Sequence, residues 1–193
     1  MAGHEDRHYR VLVVSSRDQF DPYITDSMPS GMDMTADIKR NASAARRLLL
    51  EREYDIIIIN APLSDETGFE LALDTVSTCQ VLLVTPKEIF DEVLDRVTDY
   101  GVLVMPDGSS VSRMEKILRY LIAESNKIKK LQKQIADVQD KMDQMHLIDK
   151  AKFMLIEEKH ISEDEAHRMI GKVAMDNGIS RGKAARKIID DLE

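Results

Sequence analysis

The spacing of apolar positions changes twice along this chain. Up to about residue 110, short β-branched runs alternate with stretches of helical spacing. RVLVVS at 10–15 is a short apolar run and predicts a buried strand. YDIIIIN at 54–60 is the clearest strand. Ile56 to Ile59 are all apolar, which implies cover on both faces, as in a parallel sheet. QVLLVT at 80–85 and GVLVMP at 101–106 continue the series, and a weaker strand is expected near 31–36. Helices are predicted over 42–53, where Ala45, Leu48 and Leu49 share a face, over 68–76 and over 87–100. Alternation of this kind implies a doubly wound α/β domain.

From about 110 to 146 the pattern becomes that of one long helix without Pro or Gly. Ile128, Leu131, Ile135, Val138, Met142 and Met145 repeat at three- and four-residue intervals, a heptad seam. Met114, Leu118, Leu121 and Ser125 follow a different register, so the phase slips once near 128–131. A helix of about 35 residues is about 50 Å long and cannot bury its seam against itself. A homodimeric coiled coil through 111–148 is expected, with a contribution from the N-terminal domain. The alternative is that the stripe packs on the chain's own two domains.

Residues 151–189 carry three short amphipathic patterns. Ser162 followed three residues later by Glu165 has the form of a capping box. Ala166, Met169, Ile170 and Val173 make the apolar face of the helix that follows, and Asn177-Gly178 ends it. Ser180 caps the last helix, in which Ala184, Ala185, Ile188 and Leu192 face inward. The predicted domains are therefore 1–110, α/β; 111–148, a coiled-coil linker helix; and 149–193, a small three-helix bundle.

Net charge sharpens this division. The chain is −8 overall, but residues 1–110 hold 10 basic and 20 acidic side chains, against 17 and 15 in 111–193. Within 166–189, Arg168, Lys172, Arg181, Lys183, Arg186 and Lys187 face a single acid, Asp176. A basic segment inside an acidic protein is the electrostatic footprint of a polyanion site. Cys79 is the only cysteine, so no intramolecular disulfide forms, which suits a reducing compartment. No apolar run reaches membrane-spanning length, and MAGHEDRHYR lacks the hydrophobic segment of a signal peptide. A cytoplasmic location without membrane contact is expected.

The first domain resembles the receiver domain of two-component response regulators. The likeness rests on the strand series and on the spacing from Asn60 to Gly68, which matches the phospho-acceptor and its loop glycine. It implies a flavodoxin-like doubly wound parallel sheet. The matching positions are Ser15 and Ser16 after the first strand, Asn60 after the third, Thr85 after the fourth and Met105-Pro106 after the fifth. A phosphorylated receiver needs an acid pair for magnesium, an acceptor Asp and a Lys. Here Ser15-Ser16, Asn60 and Met105 stand in their places. An amide is a poor nucleophile, and a magnesium site without carboxylates has little affinity. The expectation is a pseudo-receiver with a vacated pocket formed by Ser15, Ser16, Asn60, Thr85 and Met105, open to an unidentified ligand or protein partner. The alternative is a displaced acceptor at Asp65 or Asp18.

The C-terminal segment, from about 145 to 190, resembles the ANTAR family. The residues that carry the likeness are Ala151-Lys152 opening a first helix, Ser162 to Ala166 opening a second, Arg168, Ala174-Met175, and Ala185 with Ile188-Ile189 in a third. Phe153 stands where the family usually has Gly, and Ile156 where it usually has Met. The resemblance implies RNA binding: such modules hold paired hairpins in a nascent leader transcript, prevent a terminator from forming and let transcription continue. Expected contacts are Lys152, His167, Arg168, Lys172, Arg181, Lys183, Arg186 and Lys187. Arg can pair bidentately with phosphate or a guanine edge and stack on a base.

Two rivals stay open. A helical domain with a basic last helix can read duplex DNA as a helix-turn-helix does, and an adaptor could bind only proteins. An enzyme is not expected, for there is no activated nucleophile, metal set or phosphate-binding glycine loop. His146 and His160 have no partners at ligand spacing, the Met residues fall at core spacing, and no cofactor is expected.

Overall fold

A computed structural model describes residues 7–192. Residues 1–6, part of the stretch read for a signal peptide, lie outside the described residues. The chain divides into two compact units, Met1–Ile128 and Lys129–Glu193.

The first unit is a five-stranded parallel sheet in the order β2-β1-β3-β4-β5. Its strands are β1 (Tyr9–Ser15), β2 (Met34–Lys39), β3 (Ile56–Asn60), β4 (Gln80–Thr85) and β5 (Leu103–Pro106). Its helices are α1 (Phe20–Ser27), α2 (Ala42–Glu51), α3 (Phe69–Thr75), α4 (Phe90–Val97) and the start of α5 (Val111–Lys159). Every residue of β3 is buried, as its unbroken isoleucine run requires. Alternate strand residues feed two cores. Leu12, Ile57, Ile59 and Leu83 pack with α2, α3 and α4. Val11, Val13, Ile56, Ile58 and Leu82 pack with α1 and with Met114, Leu118, Leu121 and Ile122 of α5. Gly68 adopts a left-handed conformation at the start of α3, and a Cβ there would lie 3.0 Å from the Ile59 side chain. Both facts require glycine.

β2 begins three residues later than the segment expected near 31–36. It lies at the sheet edge with mostly half-buried and exposed side chains, which weakens its apolar signal. The helix expected over 87–100 is shorter, flanked by 3₁₀ turns at Lys87–Ile89 and Thr98–Tyr100.

The long helix also differs from expectation. α5 runs without a break to Lys159, so Ala151 and Lys152 lie inside it and open no helix. It ends at His160, which takes a left-handed φ of 54° and donates its backbone N–H to the Ile156 carbonyl. His160 thus has a backbone role. The two registers seen in the sequence have separate environments. Met114, Leu118 and Leu121 are buried in the first unit, and Ser125 donates to the buried Asp55. Among the seam residues Ile135 is 69% exposed and Met145 64%.

The second unit is a small helical bundle of the end of α5, α6 (Glu163–Asn177) and α7 (Arg181–Leu192). Its core is Ala151, Leu155, Ala166, Ile170, Ala174, Ala184, Ala185, Ile188 and Ile189. The alanines permit close helix approach. At Gly182 a Cβ would fall 2.8 Å from Gln144 Cγ, so α7 starts against α5 itself. The capping box at Ser162 is complete in both directions, and Gly178 closes α6 in the left-handed conformation.

Candidate nucleic-acid interface and strand-end pocket

α6 and α7 turn their small apolar residues inward and their basic residues out. His167, Arg168, Lys172, Arg181, Lys183, Arg186 and Lys187 are all exposed, while Ala166, Ile170, Ala184, Ala185 and Ile188 are buried. Arg168 and Lys172 stand one turn apart on α6, as Lys183 and Lys187 do on α7. None of the seven forms an ion pair among the described residues. Arg168 Nε donates to the Asp164 carbonyl at 3.3 Å, and Lys187 Nζ donates to Asn177 Oδ1 at 3.5 Å, which links α7 to the end of α6. The charge of Arg168 still acts on the Glu165 carboxylate and helps lower its pKa.

Lys152 is the exception among the expected contacts. Its ammonium sits 2.9 Å from Asp149 and 3.0 Å from Glu163, and its side chain is only 20% exposed. These two carboxylates raise its pKa, Asp149 the more strongly. Lys152 thus ties α5 to the start of α6. The acids at the opening of α6 have the complementary part. Glu165 accepts from the Ser162 backbone and hydroxyl, which holds its carboxyl below the usual range.

In the first unit, Ser15, Asn60, Thr85 and Met105 come together at the carboxyl ends of β1, β3, β4 and β5. All four are buried. Ser16 is exposed and points its hydroxyl to the Pro62 carbonyl at 3.3 Å, away from that group. Asn60 Nδ2 donates to Ser15 Oγ at 3.0 Å. A cavity of about 140 Å³ opens here, lined by Asn60, Met105, Arg17, Phe20, Tyr23 and Asp107 among others. Arg17 pairs with Asp107 at 2.6 Å. Burial, then the charge of Asp107, pushes the Tyr23 hydroxyl upward in pKa. Sequence reading missed Arg17, Tyr23 and Asp107, which come from α1 and two loops. Phe20, Tyr23, Ile24 and Ser27 have the three- and four-residue spacing that would have shown α1.

The two acids considered as displaced acceptors are engaged elsewhere. Asp65 accepts from the backbone N–H groups of Ala42 and Ser43, both at 2.9 Å, and from the Ser43 hydroxyl at 2.8 Å. These bonds bring its pKa down to about 2. Asp18 is an exposed partner of Arg40 at 3.0 Å.

Residues 136–189 match the family model of the ANTAR domain. No curated protein sequence matches the chain. Among solved structures, the chain is similar to the signal receiver domain of an HD-domain-containing protein from Pseudomonas fluorescens, with 18% identity and a TM-score of 0.58, covering 67% of this chain and 97% of that one. A protein named adenylate cyclase from Rhodopirellula baltica has 10% identity and a TM-score of 0.59, with coverage of 67% and 98%. A CheY-like receiver domain protein from Methanospirillum hungatei has 13% identity and a TM-score of 0.55, with coverage of 63% and 98%. At such identities these likenesses show the fold. The architecture is thus a receiver-type α/β fold followed by an ANTAR domain.

Proposed function

From an ANTAR domain joined to a receiver-type fold, we propose that this protein is an RNA-binding transcription antiterminator that holds paired hairpins of a leader transcript. The observation that carries this reading is the coincidence of the family match with a surface of seven exposed basic side chains on α6 and α7. Phosphate contacts supply most of the affinity of such a surface. Sequence is read from unpaired loop bases, because the deep groove of A-form RNA hides base edges. His167, Arg168, Lys172, Arg181, Lys183, Arg186 and Lys187 are the proposed contacts. Lys152, held by two carboxylates, is a weaker candidate.

The receiver-type domain works in this reading without phosphorylation. Asn60 at the end of β3 supports it, as do Ser15 at the end of β1 and the thioether of Met105 in β5. Acetyl phosphate with magnesium is expected to leave the protein's mass unchanged.

The chain acts as a dimer in this proposal. Ile128, Leu131, Ile135, Val138, Met142 and Met145 form an exposed heptad seam, which suits knobs-into-holes packing with a second copy.

Binding of the purified protein to a two-hairpin leader RNA tests the function, with a loop-mutated RNA and duplex DNA as competitors at two salt concentrations. Loop-dependent, salt-sensitive binding is expected, and the charge reversal Arg186→Glu with Lys187→Glu should weaken it by at least about tenfold. Preference for duplex DNA would instead make the last helices a DNA reader. Equal binding by the charge-reversed variant would remove nucleic acid from the function.

A further inference from the structure

We propose that the strand-end cavity of the first unit binds a small uncharged molecule that both donates and accepts hydrogen bonds. The inference stands apart from the RNA reading and does not depend on it.

The floor of the cavity is Asn60, which is fully buried. Its amide orientation follows from its neighbour. Ser15 Oγ donates its single proton to the Arg17 carbonyl at 3.2 Å and accepts the Arg17 N–H at 3.1 Å. Ser15 can then only accept from Asn60, so the Asn60 amino group faces it at 3.0 Å. Asn60 Oδ1 is left buried with no partner. The Tyr23 hydroxyl lines the same cavity and is likewise buried without a partner. Buried polar atoms almost always have partners, and two orphans on one cavity point to a ligand that pairs with both.

The walls define what that partner is. Asn60 Oδ1 needs a donor, and the Tyr23 phenol offers a proton to an acceptor. Phe20, Val84 and Met105 suit a short hydrocarbon portion. Charge is neither supplied nor sought, because Arg17 and Asp107 neutralise each other at 2.6 Å. An anion would face Asp107 and the Asn60 oxygen, and a cation would face Arg17. No cluster of His, Cys, Asp or Glu suited to a metal occurs among the described residues. The place is also where open parallel sheets hold ligands, at the carboxyl ends of the strands.

Propionamide, propionate and propylammonium have similar size and differ in charge, so they make a direct test on the full-length protein. Methyl-labelled methionine reports through Met105, whose signal is assigned by Met105→Leu in a separate sample. Saturable movement of the Met105 methyl is expected with propionamide, with the two ions at least about tenfold weaker. Tyr23→Phe and Asn60→Leu should each weaken propionamide by about tenfold. Tyr23→Phe removes only one hydroxyl and keeps the test valid if Asn60→Leu fails to fold. The proposal falls if propionamide gives no saturable shift and the cavity holds only water. It falls equally if either ion saturates as tightly, or if Tyr23→Phe binds like the wild type.

Discussion

Asp65 shows how a single carboxylate is claimed by the backbone. It takes two N–H groups and a hydroxyl at the start of α2, where helix amides have no internal partner. Those donors bring its pKa to about 2, below the ordinary 3.8. A depressed carboxyl stabilises the fold above the unfolded pKa and loses that contribution as pH falls through the folded one. Asp65→Asn should therefore lower the melting temperature at pH 7 by a few degrees. The gap between variant and wild type should close between about pH 4 and pH 2. A gap unchanged at pH 2 would mean that Asp65 does not act through its charge. In the sequence, Asp65 read only as an acid near the expected phosphorylation site. Its true partners lie more than twenty residues away in the chain, and nothing local signals them. The exposed basic side chains of α6 and α7 were legible because helical spacing and charge are both local. The ion pairs of Lys152 were not legible, because Asp149 and Glu163 are brought to it by the helix and the chain reversal that follows.

At the level of elements, the strands were legible wherever burial on both faces leaves an unbroken apolar run, as in Ile56–Asn60. β2 was placed early because an edge strand alternates weakly. α1 was missed because it is only eight residues long and carries Asp21 and Pro22 in its first turn, where proline is tolerated, although both lie off its apolar face. The continuation of α5 to Lys159 follows from the absence of Gly and Pro, a plainer signal than the resemblance that suggested a new start at Ala151. The change of register on that helix has a consequence. Met114, Leu118, Leu121 and Ile122 are covered, and the seam residues from Ile128 to Met145 are exposed. Ile135→Asp places a charge at the centre of the seam on a residue already 69% exposed, so the fold of each copy should be unaffected. Sedimentation velocity should show a dimer for the wild type and a monomer for this variant, with unchanged helical circular dichroism. A variant that stays dimeric would move the contact to another surface.

For the whole molecule, the acidic first unit and the basic helices of the second set a limit on what one copy achieves. Residues 1–110 carry twice as many acids as bases and repel a polyanion, so in the proposed reading a single basic surface would bind RNA against that background. Two copies on two hairpins change the balance, since the second contact is made at the effective concentration set by the first. The dimer and the RNA reading thus make a joint prediction that neither makes alone. On a one-hairpin RNA, Ile135→Asp and wild type should bind within about twofold of each other, because each uses one module. On a two-hairpin RNA the wild type should gain on the order of 100-fold, and the variant should gain only the statistical factor of about two. Salt provides an independent check: the logarithmic slope of affinity against salt counts neutralised phosphates, so the wild type's slope should steepen on two hairpins and the variant's should not. If Ile135→Asp is monomeric and still keeps the two-hairpin gain, one chain spans both hairpins and the seam serves something other than RNA pairing.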